Sequence, residues 1–295
     1  MTLLIPSYIW LALIASVLHA FSFTYTKQFL AHSTNRLKLA FYSQFAVGLI
    51  CVFFLPFIDL NNVWEYIWFI IFMCSFVLLG QTCYMNALQY GDASFVVPML
   101  GCKMFAVAVL SVLLFDITYD WVVYAGAVGA LVSLFLLNDG KLHGSPKALT
   151  YILLTCVFFA CADMMVVYLL NQGMSGLEVA ICAFLVPTVF LMPFSGVLFR
   201  GDWQVSMPFT KTLGIYAVVQ LIGIIILMVA FKQAGEATII NIVQSSRGLI
   251  AIVVVYLMAR FGFSHIEKLS GQQLKSRFFG GLLMFASLTA AVLAV

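Results

Sequence analysis

Apolar runs long enough to cross a bilayer recur from one end of this chain to the other. They lie near residues 8–31, 39–58, 65–88, 93–115, 121–138, 148–170, 177–199, 213–231, 237–259 and 278–295. A helix needs about 20 apolar residues to traverse a hydrocarbon core roughly 30 Å thick, so each run predicts a membrane helix. The chain is 64% hydrophobic and 8% charged, against about a quarter charged in a soluble domain. The expected fold class is therefore all-α: a polytopic membrane protein of about ten transmembrane helices.

The same pattern excludes several functions. No basic residue precedes the first run, and the run is too long for a signal-peptide core, so it is expected to stay as a membrane helix. The short connections leave no soluble module, and no GxxxxGK[ST] loop is present to hold a nucleotide. An ATP-driven motor within this chain is not expected, and no cofactor is implied. The seven cysteines all fall in predicted spans without a CxxC pair and read as small buried hydrophobes rather than metal ligands. The net charge of +3 is dispersed over several loops, which does not suit nucleic acid. The expected partners are a small-molecule substrate, the lipid bilayer and a coupling proton, in a monomer or homodimer.

Two stretches repeat each other 144 residues apart, Gly91 standing against Gly235. The first reads Gln89-Tyr90-Gly91-Asp92-Ala93-Ser94 and runs on to Lys103; the second reads Gln233-Ala234-Gly235-Glu236-Ala237-Thr238 and runs on to Arg247. Gln, Gly and Ala are identical, while Asp/Glu, Ser/Thr and Lys/Arg are exchanged conservatively. This indicates a duplicated membrane unit, residues 1–140 and 141–295. Ten residues of helix rise roughly 15 Å, which sets both cations near the midplane.

Loop charge predicts orientation. Connections after odd-numbered spans hold Lys27, Arg36, Lys38, Lys141, Lys147, Arg200, Lys211, Arg260, Lys268, Lys275 and Arg277, whereas the opposite face offers Lys232. By the positive-inside rule the odd-to-even loops are cytoplasmic and both termini lie outside. With five spans per repeat, the two halves are then inverted relative to each other, a recurrent basis for alternating access with a site at the midplane.

The octet Ala87-Leu88-Gln89-Tyr90-Gly91-Asp92-Ala93-Ser94 and its second copy, Ala230 to Thr238, resemble a pattern of the drug/metabolite transporter superfamily, and within it the EamA-type family. Asp116-Ile117-Thr118 followed by Gly126 and Gly129 looks like that family's acidic residue and glycine-bearing fifth helix, with Asp where Glu is usual. His19-Ala20-Phe21-Ser22 stands where many members have a Trp-Gly pair. The resemblance covers nearly the whole chain and implies a ten-helix transporter fold without naming a substrate. Lys103 and Arg247 are similar in position and charge to basic residues of the sugar-phosphate translocators in the same superfamily.

A charge at the bilayer centre costs about 2.5–3.5 kcal/mol on insertion scales, so intramembrane ionisable residues are functional candidates. Lys103, Asp163 and Arg247 are interior. If Asp163 pairs with either cation, one positive charge remains for an anionic or zwitterionic solute. The alternative is a buried ion-pair cluster that fixes helix register. Asn241, Gln244, Ser245 and Gly248 recur at three- and four-residue intervals beside Arg247 and predict a polar strip. Gln81, Tyr84, Tyr25, Ser22, Tyr42, Gln44 and Gln220 form a second tier. Asp163 and His19 are candidates for carrying a coupling proton. Pro98 predicts a bend ahead of Lys103 that the second repeat, with Ile242 there, does not share. Asp92 and Glu236 read first as helix caps and then as gates.

These features predict a secondary-active transporter of a small polar or anionic metabolite, multi-pass in the cell inner membrane. A flippase for an amphiphilic or lipid-linked compound is the alternative. An intramembrane enzyme is remote, because the spans hold one interior Asp, one early His and no HExxH helix.

Overall fold

The computed structural model describes residues 6–115, 121–137, 145–198, 203–235, 237–263 and 270–293. Asp116, Ile117, Thr118, Asp120, Lys141, Arg200, Glu236 and Lys268 lie outside the described residues. Fourteen α-helices and no strand occur among the residues described: α1 Ser7–Tyr25, α2 Arg36–Cys51, α3 Leu60–Glu65, α4 Ile67–Tyr90, α5 Ala93–Met99, α6 Lys103–Phe115, α7 Trp121–Leu137, α8 Pro146–Asn171, α9 Gly176–Leu191, α10 Ser195–Leu198, α11 Met207–Ala234, α12 Ala237–Ser245, α13 Arg247–Arg260 and α14 Gly271–Leu293.

Among the described residues, seven segments are long and apolar enough to cross a membrane: Ser7–Ala31, Arg36–Phe57, Ile67–Tyr90, Pro146–Asn171, Gly176–Phe194, Met207–Ala234 and Val243–Arg260. They coincide with seven of the ten expected spans. The expected fourth span is divided into α5 and α6 by a tightened turn at Leu100–Cys102. The fifth is the 17-residue α7. The tenth is α14, whose first turns carry Lys275 and Arg277.

Helix starts are written locally. Ser145 accepts the amide of Ala148 while Pro146 occupies the first helical position, where no N–H is needed. Ser175 and Glu178 form a reciprocal capping box at α9: Ser175 Oγ accepts from Glu178 N at 3.1 Å, and Glu178 Oε2 accepts from Ser175 N at 2.7 Å. At its far end α11 stops on Gly235, whose φ of +71° suits a residue without Cβ.

The packing is between halves. Helix α1 lies on α11, α2 on α9, α4 on α8 and α7 on α14, while α5 and α6 meet α13 and α12. Exchanging each first-half element for the one about 144 residues away leaves this set of partners unchanged. The polarity is that of a protein dissolved in lipid. Buried His19, Gln44, Gln81, Lys103, Gln220, Gln244 and Arg247 contrast with outward-facing Leu49, Phe53, Phe72, Val189 and Ile222. Trp64, Trp68 and Trp121, 72%, 70% and 72% exposed, stand by the starts of α4 and α7, as interfacial anchors do.

Candidate functional site

Both cations follow a change of helical pitch. Pro98 has no N–H to continue the α-helical ladder, and the chain tightens to a 3-10 turn over Leu100–Cys102 before Lys103 opens α6. Cys156 Sγ meets the Met99 carbonyl oxygen at 3.4 Å. In the second half the Ser246 amide bonds three residues back to Val243 O at 3.1 Å, and Arg247 opens α13. The tightened turn is thus common to both halves, contrary to the expectation from Pro98 alone. A proline is one way to shorten the ladder; Ser246, whose hydroxyl also donates to Val243 O at 2.6 Å, is another. The two segments cross closely, since a Cβ on Gly248 would stand 3.0 Å from Pro98 Cα.

The side chains converge on a cavity of about 90 Å³ that includes Lys103, Asp163, Arg247, Gln244, His19 and Gln81 in its lining. Lys103 Nζ donates to Asp163 Oδ2 at 2.5 Å and faces Gln244 Oε1 at 3.5 Å. Gln244 Nε2 lies 3.4 Å from His19 Nδ1. No carboxylate of the described residues pairs with Arg247. Its guanidinium carbon lies 5.2 Å from the centroid of Phe23 instead. A cation over an aromatic face gains roughly 0.5–2 kcal/mol, too little to replace a lost counter-ion. Asp163 touches Lys103 and lies within electrostatic reach of Arg247 as well, so the three groups together leave the cavity a net charge of +1.

Phe23 is held from below. Tyr84 and Phe159 meet it edge-on with centroids at 5.0 and 6.1 Å, and Tyr84 Oη donates to the Phe23 carbonyl at 2.8 Å. Of the candidate residues, Lys103, Asp163, Arg247, Gln244, Gln81 and His19 line the cavity, joined by Gln44 and Gln220. Tyr84 is wholly buried behind the lining. Tyr25 stacks on Phe21 at 5.4 Å and meets Phe263 at 6.0 Å, away from the cavity. Asn241 and Ser245 are buried but do not belong to the lining. Sequence reasoning missed Phe23 and Phe159. The signal for Phe23 was its place one turn after His19 on α1; Phe159 carries none within its apolar run.

A second polar cluster lies at the α4–α5 turn. Asp92 makes no capping bond with its side chain; its Oδ2 accepts from Arg277 Nη2 at 3.0 Å, and its Oδ1 lies 3.8 Å from Lys27 Nζ. Arg277 also donates to Ser94 Oγ, and Lys27 to Gly91 O at 3.2 Å. The turn is thereby tied to the end of α1 and the start of α14.

The cavity's lining includes Met73 near the start of α4, Val166 near the end of α8 and Met228 near the end of α11. The Asp92 cluster lies at the opposite ends of these helices.

Comparison with known proteins agrees with this architecture. The EamA-like transporter family matches residues 6–139. No curated protein matches the chain. Solved structures match in 28 chains. One of them, described only as "Crystal structure of protein", has a TM-score of 0.60 and 14% identity over 97% of this chain and 96% of its own, which shows a shared fold. Residues 6–139, a little under half of the chain, are thus similar to the EamA-like transporter family, and the apolar helices are those of a multi-pass membrane protein.

Proposed function

We propose that the protein is a secondary-active transporter that carries a small polar or anionic metabolite across the cell inner membrane by alternating access between two inverted halves, residues 1–140 and 141–295. The observation that carries this reading is Arg247. It is a buried guanidinium with no carboxylate partner among the described residues, and it faces a cavity whose other cation is already neutralised. An uncompensated charge in lipid weakens the fold, and a solute of opposite sign removes that cost. The helix pairing, unchanged when the halves are exchanged, supports the inverted repeat.

With both termini outside, the cavity leans toward the outer face through Met73, Val166 and Met228, and the Asp92 cluster closes the cytoplasmic end. Asp163 is the coupling candidate: protonating it releases Lys103, so proton and anion occupancy are linked through one ion pair.

The test is flux in proteoliposomes. Protein reconstituted with internal organic anions exchanges them for external label, and Arg247→Ala abolishes exchange while eluting from size exclusion as the wild type does. An Arg247→Ala protein that exchanges normally refutes the assignment. Equal loss of flux and folded protein in Arg247→Ala and Arg247→Lys favours a structural role.

A further inference from the structure

Lys103 Nζ is a donor without acceptor capacity, so the side of the Gln244 amide turned toward it, at 3.5 Å, is the carbonyl oxygen. The amide nitrogen therefore faces the other way, 3.4 Å from His19 Nδ1. A carboxamide nitrogen donates, so Nδ1 accepts, and the single imidazole proton resides on Nε2. This nitrogen is buried and has no partner among the described residues. Room for the ring comes from Gly223 on α11, where a Cβ would stand 2.8 Å from His19 Cδ2 and 2.9 Å from Nε2.

Two further donors are in the same condition. Arg247 Nε and Gln81 Nε2 are buried without a partner, on residues that line the same cavity. Gln44 Oε1 is an acceptor equally without one. Buried polar groups are nearly always matched, and a site built to hydrogen-bond a group discriminates strongly against solutes that lack it.

We infer that His19 is a specificity-determining residue of the transport site, a fixed Nε2–H donor that joins Arg247 and Gln81 in recognising the carboxylate of a small hydroxy or amino acid, whose own donor is taken by Gln44. This rests on the reading of the cavity as the transport site. The retained single positive charge selects a monoanionic group over a phosphate dianion, and the cavity of about 90 Å³ selects a small molecule. The relay from Asp163 through Lys103 and Gln244 to His19 sets the direction of the donor, so His19 serves as a hydrogen-bond donor and Asp163 remains as the proton-coupling group.

The experiment is thermal denaturation of purified full-length protein in detergent at pH 7, titrated with lactate, serine, propionate and inorganic phosphate. Lactate or serine stabilises the wild type at lower concentration than propionate, which lacks the second donor, or phosphate. His19→Phe weakens that binding about 10–100-fold, the range of one hydrogen bond to a charged group. His19→Gln, which restores a donor nitrogen near the place of Nε2, recovers most of it, and Gln244→Leu, which unlocks the tautomer, loses part of it. Nitrogen-15 spectra of histidine-labelled protein show His19 protonated on Nε2 and not on Nδ1, a readout that covers the case of a His19→Phe protein that does not fold. Binding lost in Arg247→Gln but unchanged in His19→Phe overturns the role of His19 alone. Wild-type protein stabilised by none of the acids, or by phosphate before all of them, overturns both this inference and the carboxylate reading of the site. The Nδ1-protonated tautomer overturns the relay.

Discussion

Neutralising Asp163 isolates the energetic logic of the site. Its carboxylate lies 2.5 Å from Lys103 Nζ, with the two side chains 15% and 7% exposed. Removing one partner of a buried pair costs about 3–5 kcal/mol, because the other charge is left without compensation. The residual exposure of Asp163 puts Asp163→Asn near the low end, about 3 kcal/mol, and Lys103→Met should cost a similar amount. For a chain of this length that corresponds to a fall of roughly 6 °C in Tm. Replacing both, as Lys103→Met with Asp163→Leu, removes the pair together with its desolvation cost. The double variant should then lie within about 1 kcal/mol of the wild type, not the roughly 6 kcal/mol below it that additive losses give. The assay is residual monodisperse protein on size exclusion after stepwise heating, with proteoliposome exchange measured in parallel. Stability should return in the double variant while exchange does not, which separates the fold from the site. A double variant as unstable as the sum of its parents would refute the reasoning, because Lys103 and Asp163 would then each be held by other partners.

Other outcomes follow from the crossing of the helices and from the closed end. Gly248→Val inserts a side chain where a single Cβ already approaches Pro98 Cα to 3.0 Å; backbone cannot yield as a side chain can, so a loss of about 1–3 kcal/mol is expected in the same heating assay. Asp92→Asn weakens the ties to Arg277 and Lys27. Because Asp92 is about half exposed, stability should change by less than about 1 kcal/mol, while a cysteine placed at Gln220 becomes more reactive to a thiol reagent supplied from the side of the Asp92 cluster. Phe23→Leu removes the ring beneath Arg247 and should weaken solute binding by roughly 0.5–2 kcal/mol, read as a higher concentration for half-maximal exchange.

The helices were legible because an apolar run of this length has one reading in lipid, but their ends were displaced for a consistent reason. The second, eighth and tenth spans were expected to begin at 39, 213 and 278, whereas the helices begin at Arg36, Met207 and Gly271. Charge marks the edge of the hydrocarbon, and a helix continues past that edge: Arg36, Lys38, Lys211, Lys275 and Arg277 all lie in helical turns. The charged centre of the site was legible in the same way, since Lys103, Asp163 and Arg247 interrupt apolar surroundings. Which cation Asp163 would choose was not, because that depends on where α8 packs. The strip Asn241, Gln244, Ser245, Gly248 predicted one face; Gly248 packs on Pro98, and Gln244 alone of the four reaches the cavity. Its regular spacing could not reveal the neighbouring helix. Phe23 offered only its place one turn after His19, and Phe159 nothing that set it apart among 28 phenylalanines.

The two halves match in backbone pairing and differ in charge, and under the proposed function the difference bears on transport. Lys103 and Arg247 occupy equivalent positions after equivalent tightened turns. Lys103 carries an internal counter-ion, and Arg247 rests on an aromatic ring. Were both cations uncompensated, an empty carrier would hold two bare charges in lipid and could return only with a solute aboard; were both paired, no solute would be attracted. One of each gives an empty site with a single positive charge, weak enough in cost to be tolerated and strong enough to favour an anion. Asp163 can also compete for whatever binds Lys103, so an arriving carboxylate need not displace it to find a partner: Arg247 is available first. On this argument Arg247→Lys should retain more exchange than Lys103→Arg, because a guanidinium at position 103 has more donors than Asp163 can satisfy.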